Sequence, residues 1–138
     1  MFRTFLPLSV AIGFSLLLGG PARAQKRDDA AELSNDLKEI LLAYHSYLDK
    51  NKGSAPAKAA DLAPNLEKRA LARLEDKSIV FVYGVTLKDM TRGSSNTILA
   101  YEKDAPEKGG VVAYGDGIVK KLTADAFKKA IVAKAPKK

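Results

Sequence analysis

His45 is the only histidine of the chain, so acid–base or metal chemistry of the imidazole kind would have to be built on it. A general base must reach a substrate proton, and a metal ligand needs further His, Asp or Glu donors around it. His45 stands beside Tyr44 and one helical turn from Asp49, with no acidic cluster near it in sequence. It therefore reads as a polar residue at the edge of a helix face. No serine lies in the G-x-S-x-G elbow of a hydrolase. Asp49-Lys50-Asn51-Lys52-Gly53 opens like a calcium loop. Ser54 then takes the sixth position, where Gly is needed, and Ala60 the twelfth, where a bidentate Glu is needed. Asp104, Glu107 and Asp116 are the acids to weigh as a glycosidase pair. Two of them lie in a lysine-bearing connection and the third in a turn. Gly109, Gly110, Gly115 and Gly117 match no phosphate-cradling motif. No catalytic residue, no cofactor and no metal site is expected, and a secreted hydrolase would need His45 in a pocket with an acid and a hydroxyl.

Charge is the clearer signal. From residue 118 onward Lys120, Lys121, Lys128, Lys129, Lys134, Lys137 and Lys138 face Asp125 alone. One reading is attraction to an anionic surface such as a cell-wall polymer, a lipid headgroup or nucleic acid. The other is a solvated helix face with a frayed end, where lysines also suit the helix dipole. The stretch has no arginine and little aromatic interleaving, so specific nucleic-acid recognition is not expected. Lys120, Lys121, Lys128 and Lys129 are the candidate anion contacts, and through them the chain would be a small periplasmic binding or inhibitor module for an anionic partner.

These side chains must be carried by elements of a 138-residue chain with net charge +7 and no cysteine. Thiolate zinc sites and disulfide staples are thereby excluded, and packing alone must stabilise the fold. Residues 1–24 have the pattern of an export leader: Arg3, the apolar run Phe5–Leu18, the breakers Gly19-Gly20-Pro21, and Ala22-Arg23-Ala24 before Gln25. Cleavage is expected after Ala24, which makes the protein secreted or periplasmic with no membrane span after cleavage. Residues 25–138 are expected to form one domain, with 134–138 as a flexible basic tail.

Within that domain the spacing of Leu33, Leu37, Ile40, Leu41, Tyr44, Tyr47 and Leu48 predicts a long amphipathic helix from about Asp28 to Lys50. Asn51-Lys52-Gly53 would stop it. Leu42 points away from the apolar stripe; with Tyr44 and Tyr47 it is a candidate contact for a partner. A short helix is expected over 65–75, with Asn65 as its cap. Ile79-Val80-Phe81-Val82-Tyr83 and Val85 predict a buried strand over 78–85. Further strands are expected at 97–102, 111–114 and 118–122. Asp116-Gly117 between the last two predicts a type I′ hairpin turn, with φ > 0 at both central residues. Thr123 should cap a final helix with Phe127 and Ile131 inward. The expected architecture is α+β: a long N-terminal helix packed on a small antiparallel sheet of three or four strands, with a C-terminal helix.

Four strings together resemble the pilin-like secreted family of bacteria that carries the H-X9-DG signature. They are Leu42-Ala43-Tyr44-His45-Ser46-Tyr47; Pro56-Ala57-Lys58-Ala59-Ala60-Asp61-Leu62-Ala63-Pro64; Asn96-Thr97-Ile98-Leu99-Ala100-Tyr101-Glu102; and Gly109-Gly110-Val111-Val112 leading to Asp116-Gly117, Lys121-Leu122 and Phe127. The resemblance covers about residues 40–131. It implies a helix-on-sheet head like that of type II secretion pseudopilins, with a structural or binding role in the cell envelope and no catalysis. The partner would be an envelope protein or an anionic polymer. Two positions depart from the family pattern: Pro106 stands where the signature His falls, and Leu18 stands where a prepilin processing site has Glu.

Overall fold

The computed structural model describes the backbone of residues 21–138 and the side chains from residue 29 onward. The expected leader and its cleavage site after Ala24 lie outside the residues described with side chains. Helix α1 (Pro21–Lys50) begins earlier than the apolar pattern indicated. Its stripe is buried as the three-and-four spacing requires: Leu33, Leu37, Ile40, Leu41, Tyr44 and Leu48 are all in the core, each worth about 1.5–3 kcal/mol of transfer free energy. The stop falls at Asn51–Gly53, where the Gly53 N–H donates to the Leu48 carbonyl at 2.8 Å. The left-handed residue before it is Lys52, at φ 54°. No described helix is long and apolar enough to cross a membrane.

Two short helices, α2 (Ala59–Leu62) and α3 (Lys68–Glu75), follow α1. The helix expected over 65–75 is thus shorter, and Glu67 occupies the cap position in place of Asn65. Strand β1 (Ile79–Phe81) leads to β2 (Thr97–Glu102), helix α4 (Ala105–Lys108), strands β3 (Gly110–Tyr114) and β4 (Val119–Leu122), helix α5 (Ala124–Lys129) and strand β5 (Ile131–Val132). The sheet order is β1-β2-β3-β4, all antiparallel, while β5 pairs with β2 in parallel. The expected helix-on-sheet architecture is therefore present, with a parallel fifth strand added.

β5 explains why β1 is short. Thr97 and Ile98 of β2 pair with Ile131 and Val132, so after the Val82 N–H has donated to the Leu99 carbonyl at 2.9 Å the edge that residues 83–85 would need is taken. The Gly84 N–H instead donates to the Pro56 carbonyl. Ile131 is consequently a strand residue, 38% exposed, and not the inward helix residue expected from its spacing. A bulge between Ile98 and Ala100 in the β2–β3 ladder turns both Leu99 and Ala100 toward α1, while Ile98 and Tyr101 join the opposite face. That second face, with Val112, Ala105 and Phe127, is covered only by α4 and α5. Thr123 caps α5 as expected, its hydroxyl accepting from the Ala126 N–H at 3.1 Å.

The β3–β4 turn differs in type from the expectation. Gly117 has φ 94° but Asp116 is not left-handed. The Gly117 N–H donates to the Tyr114 carbonyl and the Tyr114 N–H to the Ile118 carbonyl, each at 2.9 Å. This is a three-residue loop closing in a left-handed glycine, which sets the right twist with one positive φ in place of two. Asp116 stays in the turn and accepts from the Ile118 N–H at 3.1 Å.

One polar contact fixes α3 against α1. Asp36 lies on the buried side of α1 at 1% exposure. Its Oδ1 accepts from Arg69 Nη2 at 2.8 Å and Nε at 3.0 Å, and its Oδ2 from Arg73 Nε at 2.6 Å. Two guanidinium groups thus satisfy a carboxylate that burial would otherwise penalise. Asp36→Ala should cost about 1–3 kcal/mol in urea unfolding, because it removes the charge-assisted bonds to both guanidinium groups and leaves them, among the described residues, only Glu32, at 3.9 and 4.0 Å. A loss below about 0.5 kcal/mol, the range of ordinary surface substitutions, would show that α3 is held without this contact.

Candidate functional site: a basic face

The loop between β1 and β2 carries three polar residues to one corner of the second sheet face. Met90 anchors it from below at 5% exposure. Gly115 in the hairpin turn makes room, since a Cβ there would collide with Met90 Sδ. The Gly115 N–H donates to the Thr97 carbonyl, and its carbonyl lies 2.8 Å from His45 Nε2. A carbonyl can only accept, so His45 is held with the proton on Nε2. Beside it Tyr44 is fully buried, and its hydroxyl donates to the Val85 carbonyl at 2.7 Å. Two neighbouring residues of α1 therefore hold both ends of the region that positions the loop.

Above these anchors the Asn96 side chain donates to the Arg92 carbonyl at 3.0 Å and the Thr97 hydroxyl to the Gly93 carbonyl at 2.9 Å. Arg92, Ser95 and Asn96 then line an open depression of about 400 Å³ together with Tyr114, Lys120 and Lys129. Lys120 Nζ sits 5.6 Å from the Tyr114 ring centroid, a cation–π contact of about 0.5–1 kcal/mol at an exposed site. A second depression of about 530 Å³ adjoins it, lined by Pro106, Phe127, Lys128, Val132 and Lys134. Ala130 and Ile131 border both. Around exposed Ile131 five cationic side chains thus line the two depressions, and among the described residues no carboxylate does.

The structure sorts the sequence candidates unequally. Lys120 and Lys129 share one depression and Lys128 lies in the next. Lys121 does not join them. Strand alternation turns it to the opposite sheet face, where it lines a cleft of about 940 Å³ with Leu33, Arg73, Glu102, Lys108 and Val111. That cleft is larger, but its charges are mixed: Asp29 and Glu102 stand among its cations, and Arg73 is already bonded to Asp36. It offers no single sign of field to a ligand. Leu42 is 71% exposed on the outer side of α1. Tyr44 is core, not a partner contact, because its side chain is fully buried, the largest such among the described residues. Tyr47 is half-buried and packs on the same core. Arg92, Ser95 and Asn96 were missed in the sequence, where they read only as polar loop.

Burial chiefly, and the Asp89 carboxylate after it, push the Tyr44 phenol up from its ordinary 10.0 to about 12. Between those pH values the unfolded chain has released this proton and the folded chain still holds it, so stability falls as pH rises through the window. Tyr44→Phe should flatten that alkaline loss in part, the raised Tyr83 phenol retaining the remainder. An unchanged pH dependence of the unfolding midpoint would show that Tyr44 ionises as freely as a surface tyrosine.

No family model matches this chain, and neither a curated protein nor a solved structure matches it at a significant level.

Proposed function

We propose that this is an exported, non-enzymatic protein of the cell envelope, a helix-on-sheet head of the pilin-like kind that works by binding an anionic partner. The observation that carries the reading is the set of Arg92, Lys120, Lys128, Lys129 and Lys134 around Ile131 without a carboxylate among them. Like charges gathered on one rigid face repel one another, and an anionic partner relieves that repulsion while releasing its own counterions. Tyr114 and Ile131 add apolar surface between the cations, so contact there is more than point charge. The leader pattern of residues 1–24 supports export. His45 supports a binding role over hydrolysis, since its Nε2 is engaged by a backbone carbonyl at 2.8 Å.

Long-chain inorganic polyphosphate is a suitable charge probe. Its affinity for the protein should fall linearly on a log–log plot against salt. The triple variant Arg92→Gln, Lys120→Gln, Lys129→Gln should weaken binding by about tenfold or more and make the salt slope shallower by about two to three. Lys121→Gln, on the other sheet face, should change either quantity far less. Equal losses from the two variants would remove the basic face as the binding site.

A further inference from the structure

β4 pairs with β3 on one side, and among the described residues nothing pairs with its other edge. The Tyr114–Ile118 hydrogen bond fixes which groups lie on that edge. In an antiparallel ladder every second pair is bonded, so the main-chain groups of Lys120 and Leu122 point at β3 and those of Val119 and Lys121 point outward. The same alternation is seen from the other side of β3, where the Val111 N–H points away from β4 and donates to Glu102 Oε2 at 3.2 Å. β4 therefore presents unpaired N–H and C=O groups between two exposed lysines of opposite facing.

We infer that this edge accepts an acidic, extended peptide segment of a partner protein as an added antiparallel strand. Main-chain hydrogen bonds would come from Val119 and Lys121. Alternate side chains of the added strand would fall on the two sheet faces. On one face they meet Lys120 above Tyr114 and the 400 Å³ depression. On the other they meet the 940 Å³ cleft floored by Leu33 and Val111, where Lys121 and Lys108 stand with Glu102 and Asp29. Space thus flanks the edge on both faces, and cations without an acid beside them flank it on the Lys120 face, which suits carboxylates at alternate positions of the added strand. A second copy of the chain is a poorer occupant, because two β4 strands side by side bring lysines opposite lysines. The inference takes its charge from the anion-binding reading above and adds a requirement for a peptide backbone.

Two probes separate the requirements: a short peptide of alternating Glu and Thr, and the same peptide N-methylated at alternate amides, which keeps the charge and loses the strand-pairing edge. The parent peptide should bind the whole chain, and the methylated one about tenfold or more weaker. Lys121→Pro removes an outward N–H without breaking the β3 ladder, and it should weaken the parent peptide well beyond Lys121→Ala. Retained circular dichroism of the proline variant shows that the fold survives. Equal binding of the two peptides would overturn strand addition while leaving the basic face intact. Binding of polyphosphate with neither peptide would overturn it too, and failure of all three probes would remove the anion-binding reading as well. A concentration-dependent dimer abolished by Lys121→Pro would make a second copy the occupant and also overturn the inference.

Discussion

The apolar stripe of α1 can cover only one face of the sheet, and the rest of the molecule follows from that limit. Leu33, Leu37, Leu41 and Tyr44 pack toward Leu99, Val111 and Ala113, and the helix has no second stripe with which to reach the other face. Asp36 then recruits α3 through Arg69 and Arg73, while Tyr44 and His45 pin the Val85 and Gly115 carbonyls. A buried hydrogen bond contributes only about 0.5–1.5 kcal/mol net. Three such contacts do not drive folding, but they fix where α1 lies along the sheet, which apolar packing alone specifies less sharply.

The second face is left to shorter elements. α4 and α5 cover it and bury Ala105 and Phe127 against Ile98 and Val112, while β5 joins the sheet beside β2. They stop short of Tyr114 and Lys120, so the far corner stays open. The lysines that make α5 soluble then border the corner from one side, and the loop bearing Arg92 borders it from the other. The basic face is thus assembled from three separate stretches of chain, none of which is unusual alone. The free edge of β4 is a product of the same limit, since no described element lies beyond it.

Regular periodicity was the legible part. The α1 stripe, the cores of β2 and β3 and the Thr123 cap all lie where residue spacing and cap chemistry put them. What could not be read depends on partners distant in sequence. Asp36 looks like any helix-surface acid until Arg69, 33 residues on, is brought to it. β5 is two residues long, too short for alternation to register, and exists because β2 offers it an edge. α4 is a single turn begun by Ala105-Pro106, where proline is tolerated but is easily read as a breaker. The opposite facing of Lys120 and Lys121 is legible in the sequence, since adjacent residues of a strand point to opposite faces.

The claim that one face of the fold is its working surface is tested most directly by mapping amide chemical shifts as polyphosphate is added to the isotope-labelled protein. The largest changes should fall on Arg92, Ser95, Asn96, Tyr114, Lys120 and the 128–134 stretch, with α3 and the outer side of α1 around Leu42 unmoved. Changes spread evenly over all lysines, or centred on Leu42, would contradict it.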